Sequence, residues 1–374
     1  MIRRVVATAP GKLILMGEHA AVYGRPAVVA ALGLCTAVEV EAGGEGVELD
    51  LDTLGHRETS SWAAIDAYTA AYAERWRRFD QTPTSGAFAA LADHDPARLV
   101  KLALGETRRA LGLSGEPGVR VRVASEIPVG SGFGSSASVA VAVAGGLLAL
   151  LGELAPGEEA SSHELLSAVA LEVERRQHGR PSGIDHATVL RGGVLRAGGG
   201  PERRTEPLAV TPAAAAELRV FDTGRPAETT GEVVAAVRSR RDTDPTGFDA
   251  ILDAMESATG RFADALTATT TAAATAIAIA EDPRDRLETI RAFERHLEDL
   301  GVVPAGVVAA VRRIEERGGA AKVSGAGTLA GTGAGALLVC WPSALDGEPE
   351  DLLPGYPCHR AAIGAPGLTI EEAA

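Results

Sequence analysis

The chain has 374 residues, a formal net charge of −14 and 46% hydrophobic residues, which suits a globular protein with more than one core rather than one small domain. No Lys/Arg cluster stands clear of its acidic neighbours, so a nucleic-acid-binding class is excluded, and Cys35, Cys340 and Cys358 are too dispersed for a disulfide framework or a Cys-x-x-Cys metal centre. No stretch reaches the ~18 uninterrupted apolar residues of a membrane span.

Val5 to Ala9 reads as a strand closed by the Pro10-Gly11 turn, too short for a secretory h-region. Thr36 to Glu41 and Val47 to Leu51 alternate apolar and polar residues around Gly43-Gly44, which predicts a hairpin. From Asp52 to Asp95 the pattern is less regular and predicts helical pieces joined by a mobile loop, on the nucleotide side. Leu99 to Leu111 has helical periodicity, and Val119, Val121 and Val123 alternate with Arg120 and Arg122 as a half-buried strand. An apolar helix follows from about Ser136 to Leu151, then an amphipathic one over His163 to Gln177, a Gly-Arg-Pro-Ser-Gly turn, Asp185 and a strand at Val194 to Ala197.

The Gly- and charge-rich stretch Gly198 to Pro207 is the expected boundary between an N-terminal domain, 1–197, and a C-terminal one, 198–374. Beyond it the sequence predicts a strand at Leu218 to Thr223 and helices at Thr230 to Arg240, Phe248 to Thr271, Arg284 to Leu300 and Ala305 to Arg317. The apolar run Ala265 to Ala280 reads as an Ala-rich buried helix. A Gly-rich loop, Gly325 to Gly335, leads into the strand Ala336 to Trp341, and a last strand is expected near Leu368 to Ile370. Strands and helices do not alternate regularly, so the class is α+β rather than a doubly wound sheet. The location expected by default is a reducing cytoplasm.

Four segments can carry chemistry. In Pro128-Val-Gly-Ser-Gly-Phe-Gly-Ser-Ser-Ala137, Gly130, Gly132 and Gly134 let backbone N–H groups converge, and the helix opening at Ser135-Ser136 adds free N–H groups and a positive dipole end. That suits a triphosphate, and the serine hydroxyls can take a phosphate or Mg²⁺. No Gly-Lys-Ser/Thr closes the loop, so it is not a Walker A loop; taken alone it reads equally as a Gly-rich turn capping a helix. In Ala9 to Ala27, Lys12 follows a tight turn on an apolar stretch, and Glu18 and His19 follow Gly17. A lysine held there can place a fixed cation beside a phosphate or hydroxyl. In Glu174 to Asp185, phosphoryl transfer could find a hard-cation ligand and a group to orient an attacking hydroxyl. Glu174 in isolation reads as a solvated helix face, whereas Asp185, between apolar neighbours, needs partners. The fourth segment, Lys322 to Gly335, is either a ligand-approaching loop or a flexible hairpin.

Together and in this order, the four segments resemble the GHMP kinases, the family of galactokinase, homoserine kinase, mevalonate kinase and phosphomevalonate kinase. The resemblance implies two α+β domains, the first like ribosomal protein S5 domain 2 and the second ferredoxin-like, with the active site in the cleft between them. It implies ATP and Mg²⁺ as cofactors and a small-molecule alcohol as acceptor, with no nucleic acid or membrane partner, and leaves a homodimer open. Within the family, Pro10-Gly-Lys, Gly17-Glu-His-Ala, Val22-x-Gly-x-Pro-Ala27 and Pro181-Ser-Gly-Ile-Asp185 resemble the mevalonate kinases most, as does Asp222-Thr-Gly-Arg-Pro226 with Thr230 before a helix. Phosphorylation of the primary hydroxyl of (R)-mevalonate is the activity this implies. Another small alcohol, a catalytically silent relative and a mevalonate-diphosphate-decarboxylase relative are the alternatives.

Position by position, the resemblance gives Ser136 and Glu174 to Mg²⁺, and Gly130, Ser131, Gly132, Gly134, Ser135 and Ser136 to the nucleotide phosphates. It gives Asp185 the acceptor hydroxyl, Lys12 the support of Asp185, and Glu18, His19 and Thr230 the acceptor pocket. Phe133 stands where the family usually has Leu, and Ser138 where it has Ala. Thr328-Leu-Ala330 makes the last Gly-rich loop about three residues longer than the family pattern.

Overall fold

The computed structural model describes residues 4–82, 84–91, 94–199, 204–272 and 284–373. Twelve strands form two sheets among these residues. The first sheet contains β1 (Arg4–Met16), β2 (Ala27–Ala42), β3 (Val47–Leu51), β4 (His56–Ser60), β5 (Val119–Ser125), β6 (Val194–Ala197) and β7 (Thr205–Pro207). The second is built from β8 (Leu218–Asp222), β9 (Ala320–Ser324), β10 (Ala336–Cys340) and β11 (Cys358–His359), in the order β11-β8-β10-β9. The last strand, β12 (Thr369–Glu372), returns to the first sheet and pairs antiparallel with β1. The main path of the first sheet is therefore β12-β1-β2-β5-β3-β4, with β6 on the start of β2 and β7 on β6. The boundary expected at 197/198 is crossed twice, by β7 and by β12; residues 200–203 at that boundary lie outside the described residues.

Helices α1 (Trp62–Gln81), α2 (Ser85–Ala89), α3 (Arg98–Leu111), α4 (Ser135–Leu151), α5 (His163–His178) and α6 (Ile184–Arg191) belong to the first half. The second half adds α7 (Pro212–Ala216), α8 (Thr230–Thr243), α9 (Pro245–Ala272), α10 (Arg284–Asp299), α11 (Ala305–Glu316) and α12 (Pro349–Leu352). The part of the expected Ala-rich helix beyond residue 272 lies outside the described residues. No helix among the described residues is long and apolar enough to cross a membrane.

Helix α4 explains why the first core holds together. It is apolar on every side, as a helix enclosed by other elements must be, and it lies against β1, β2, α3 and α5. The second core gathers α9, α10, α11 and the four-stranded sheet around Phe221, Phe262, Phe293 and Leu337. Strand β1 joins the two. Val5, Ala7 and Ala9 pack into the first core, whereas Leu13, Leu15 and Met16 pack into the second.

Three local expectations are corrected. Pro10-Gly11 does not close β1; the strand runs on through an irregularity in its pairing with β2 between those two residues. Such a bulge re-aims a strand, and here it marks the change of core. The predicted hairpin between Thr36–Glu41 and Val47–Leu51 does not form either. Strand β5 lies between them, antiparallel to β2 and parallel to β3, and the tight hairpin is β3–β4. Alternation shows that a strand is half-buried but not which strand is its neighbour. Finally, Asp185 sits in the first turn of α6, a helix that the Pro-Ser-Gly turn concealed.

Candidate active site

The bulge in β1 places Lys12 at the junction of the two cores and directly beneath the Gly130–Ser136 loop. The Lys12 N–H donates to Phe133 O at 2.9 Å. A side chain on Gly11 would meet Phe133 O at 2.8 Å, and one on Gly134 would meet Lys12 Cγ at 2.7 Å. Loop and strand are thus in backbone contact that a Cβ would break. Gly130, Gly132 and Gly134 have φ of 81°, 81° and 79°, the left-handed conformation that glycine adopts without strain. Gly134 is also the N-cap of α4, and no side chain caps its free N–H groups. These groups and the dipole behind them make an anion cradle. The hydroxyls of Ser135 and Ser136 make no hydrogen bond among the described residues, whereas Ser131 is buried. Phe133 is buried and meets His359 of β11 edge-on at 5.3 Å, which anchors the loop on the second sheet. The Ser138 hydroxyl donates to Ala9 O at 2.8 Å, so its polarity is satisfied inside the core.

Lys12 Nζ lies 3.0 Å from Asp185 Oδ1, across 172 intervening positions; the Asp185 side chain keeps 34% exposure and that of Lys12 only 8%. The lysine is therefore enclosed, and the carboxylate is partly open to solvent. Glu174, near the end of α5, is buried. Its Oε1 accepts the His186 N–H at 3.1 Å, and its Oε2 lies 3.2 Å from His186 Nδ1. His186 Nε2 is in turn 3.0 Å from Ser167 Oγ. The reading of Glu174 as a solvated helix face is thus corrected: it is a buried carboxylate tied to the first turn of α6. His178 lies within electrostatic reach of Glu174, Asp185 and Lys12 alike, so the three charges share one region.

The residues that the sequence assigns to the acceptor pocket are arranged differently. Glu18 is fully buried and paired with Lys322 of β9, itself fully buried. Burial pushes the Glu18 carboxyl up against the opposing pull of Lys322. His19 has φ 57° and is the one non-glycine residue at positive φ among the described residues, a conformation that persists only where the surroundings enforce it. Its Nε2 is 3.0 Å from Ala326 O in the last Gly-rich loop, and burial lowers its pKa, which favours the neutral ring. Thr230 opens α8, is exposed, and follows a capping box made by Thr229 and Glu232.

Sequence reasoning missed Lys322 and Glu294 as members of this region. The Glu294 carboxyl on α10 accepts the Val323 N–H at 2.9 Å, and burial pushes it up to about 8. Lys322 thus pairs with Glu18 and acts electrostatically on Glu294. The signal was a lysine inside the run Ala320–Ser324, which is buried at every position.

A family model for the GHMP kinases N terminal domain matches residues 98–193, the part that holds the phosphate loop, Glu174 and Asp185. Mevalonate kinase from Bos taurus is 30% identical, over 99% of this chain and 96% of that protein. Mevalonate kinase from Methanococcus jannaschii shares the fold at a TM-score of 0.72 and 17% identity, covering 96% of this chain and 98% of that one. L. major mevalonate kinase, solved in complex with R-mevalonate, matches at a TM-score of 0.65 and 20% identity, covering 93% of this chain and 89% of that one. The near-full-length similarity and the site built on β1, the phosphate loop and α6 lead to one conclusion: this chain belongs to the GHMP kinase family.

Proposed function

We propose that this chain is a mevalonate kinase, transferring the γ-phosphoryl group of ATP to the primary hydroxyl of (R)-mevalonate. The observation that carries the reading is the Lys12–Asp185 pair, 3.0 Å apart beside the Gly130–Ser136 cradle, in a chain similar to mevalonate kinase over 99% of its length. Phosphoryl transfer asks a protein mainly to position reactants and neutralise charge. The half-exposed Asp185 carboxylate accepts a hydrogen bond from the acceptor hydroxyl, aims it at the phosphate and takes its proton. The Lys12 ammonium favours the alkoxide character that develops on that oxygen. Gly132, Gly134 and Ser135 hold the phosphates, and His19 and Thr230 face the rest of the acceptor.

The donor set suits Mg²⁺. Ser136 offers an unengaged hydroxyl, and a carboxylate has about four lone-pair sites, of which Glu174 spends one on the His186 N–H. These are hard oxygen donors of the kind Mg²⁺ prefers; when bound, the ion would screen the phosphate charges. Three free cysteines accord with a reducing cytoplasm.

Purified protein with ATP and Mg²⁺ is to be assayed against mevalonate, phosphomevalonate, galactose and homoserine. Mevalonate should turn over at roughly 1–100 s⁻¹, the range of kinases, and Glu174→Gln should raise the Mg²⁺ concentration required. Turnover of galactose or homoserine without mevalonate contradicts the substrate reading, and an unchanged Mg²⁺ requirement removes Glu174 from the metal.

A further inference from the structure

The middle of the Gly-rich loop between β9 and β10 is held by one carboxylate. Glu228, just before α8, accepts the Leu329 N–H at 3.1 Å, the Ala330 N–H at 2.9 Å and the hydroxyl of Thr328. The same chain segment holds the exit of the loop. The Thr223 hydroxyl donates to Gly335 O at 2.8 Å and accepts the Ala334 N–H at 2.9 Å. A side chain on Gly333 would lie 2.6 Å from Gly224 O, so the contact is backbone to backbone. At its start the loop meets the acceptor side, where Ala326 O is 3.0 Å from His19 Nε2 and the Thr328 N–H donates to Val302 O at 2.9 Å. At its end it meets the phosphate loop, since a side chain on Gly335 would lie 2.8 Å from Ser131 O. The loop therefore spans from the acceptor side to the phosphate side, and Glu228 fixes its middle.

Glu228 stands two positions before Thr230, and α8 is opened rigidly by the Thr229–Glu232 capping box. Its hydrogen bonds also favour the ionised form: the Thr328 hydroxyl first, then the two loop amides, lower its pKa. A carboxylate accepting from several donors at once is a strong, oriented anchor, and a displacement of about 1 Å in such a support is enough to damage catalysis.

We propose that Glu228 is a positioning residue for the acceptor: by pinning Thr328-Leu329-Ala330 it fixes loop 325–335 against His19 and so sets the size of the acceptor chamber. This rests on the small-alcohol kinase reading above. The role predicts an effect on the acceptor and not on the nucleotide.

The test is steady-state kinetics of Glu228→Ala and Thr328→Val beside the wild type, varying acceptor and ATP in turn, with amide hydrogen exchange followed at Leu329 and Ala330. Thr328→Val removes one donor, leaves both amide contacts, and serves if Glu228→Ala folds poorly. Glu228→Ala should raise the acceptor KM about tenfold or more, leave the ATP KM within about twofold, and speed exchange at both amides. Thr328→Val should lie between it and the wild type, and Glu228→Asp should restore part of the loss. An acceptor KM that stays at the wild-type value, or an ATP KM that rises in parallel, overturns the proposal. The two readings fail separately. Absence of wild-type mevalonate turnover removes the substrate assignment, whereas an unchanged acceptor KM in Glu228→Ala, measured with whichever alcohol the wild type accepts, removes the positioning role.

Discussion

Two buried lysines each pair with a carboxylate, and the two pairs differ in exposure rather than in chemistry. Lys12 and Asp185 meet at 3.0 Å with the carboxylate 34% exposed; Lys322 and Glu18 meet with neither side chain exposed, and a second carboxylate, Glu294, lies behind them. An ion pair that opens to a cleft can rearrange around a substrate and a proton. A sealed pair has no such freedom, and its value lies in fixing the elements that carry it. Glu18 belongs to the turn after β1, Lys322 to β9 and Glu294 to α10, so the sealed cluster ties the end of β1 to β9 and α10 within the second core. In the proposed mechanism the open pair acts on the acceptor hydroxyl, and the sealed one fixes the turn that carries His19 against the last Gly-rich loop.

The comparison breaks most visibly at Asp185. Asp185→Asn keeps the shape and loses the charge and the base, so kcat should fall by roughly 10²-fold or more. Because Asp185 is partly open to water although Lys12 is buried, the loss of unfolding stability should be smaller than that from breaking a fully sealed pair. A variant with near-normal kcat would place the chemistry elsewhere.

Lys322→Met should show the opposite pattern. It leaves the buried Glu18 carboxylate without its cation, and breaking a buried pair from one side costs roughly 3–5 kcal/mol. Urea unfolding would show this as a large drop in midpoint. A drop of the size expected for a surface pair would mean that the cluster is not sealed in solution.

A smaller effect sharpens the same contrast through pH. The Glu294 carboxyl is pushed up to about 8 from an ordinary 4.5, so between those values the folded chain keeps a proton that the unfolded chain releases. The resulting stability is fully present below the unfolded value and is lost as pH rises through the folded one. Lys322, Glu18 and Glu298 all act on this group, and Glu18 is raised by burial in the same direction. Glu294→Gln should therefore lose less stability than the wild type between about pH 5 and about pH 8. Parallel stability curves for the two proteins would refute the assignment.

Much of the open region was legible in the sequence and little of the sealed one. Gly130, Gly132 and Gly134 before an apolar helix announce converging N–H groups, and Pro181-Ser-Gly before Asp185 announces a carboxylate held in a turn. Lys12 was legible as a lysine on an apolar stretch, although the turn before it is a bulge inside a continuing strand. Glu294 gives no such signal. Helix α10 carries charge on every turn, and only the packing of α10 on β9 shows that this one carboxylate faces inward. Lys322 looked like the preface to a glycine loop because Ala320–Ser324 is too short for alternation to register. The misplaced hairpin has the same origin: β2, β3 and β5 all alternate, and their order is decided by long-range pairing.

The central claim is that Lys12 and Asp185 act as one unit on the acceptor hydroxyl. The most direct measurement is a double-mutant cycle in kcat, with Lys12→Met, Asp185→Asn and the double variant assayed at saturating ATP and mevalonate. Residues that act as a unit are strongly non-additive, so the double variant should be little slower than the slower single one. Losses that multiply, with the double variant slower by the product of the two single effects, would contradict the account.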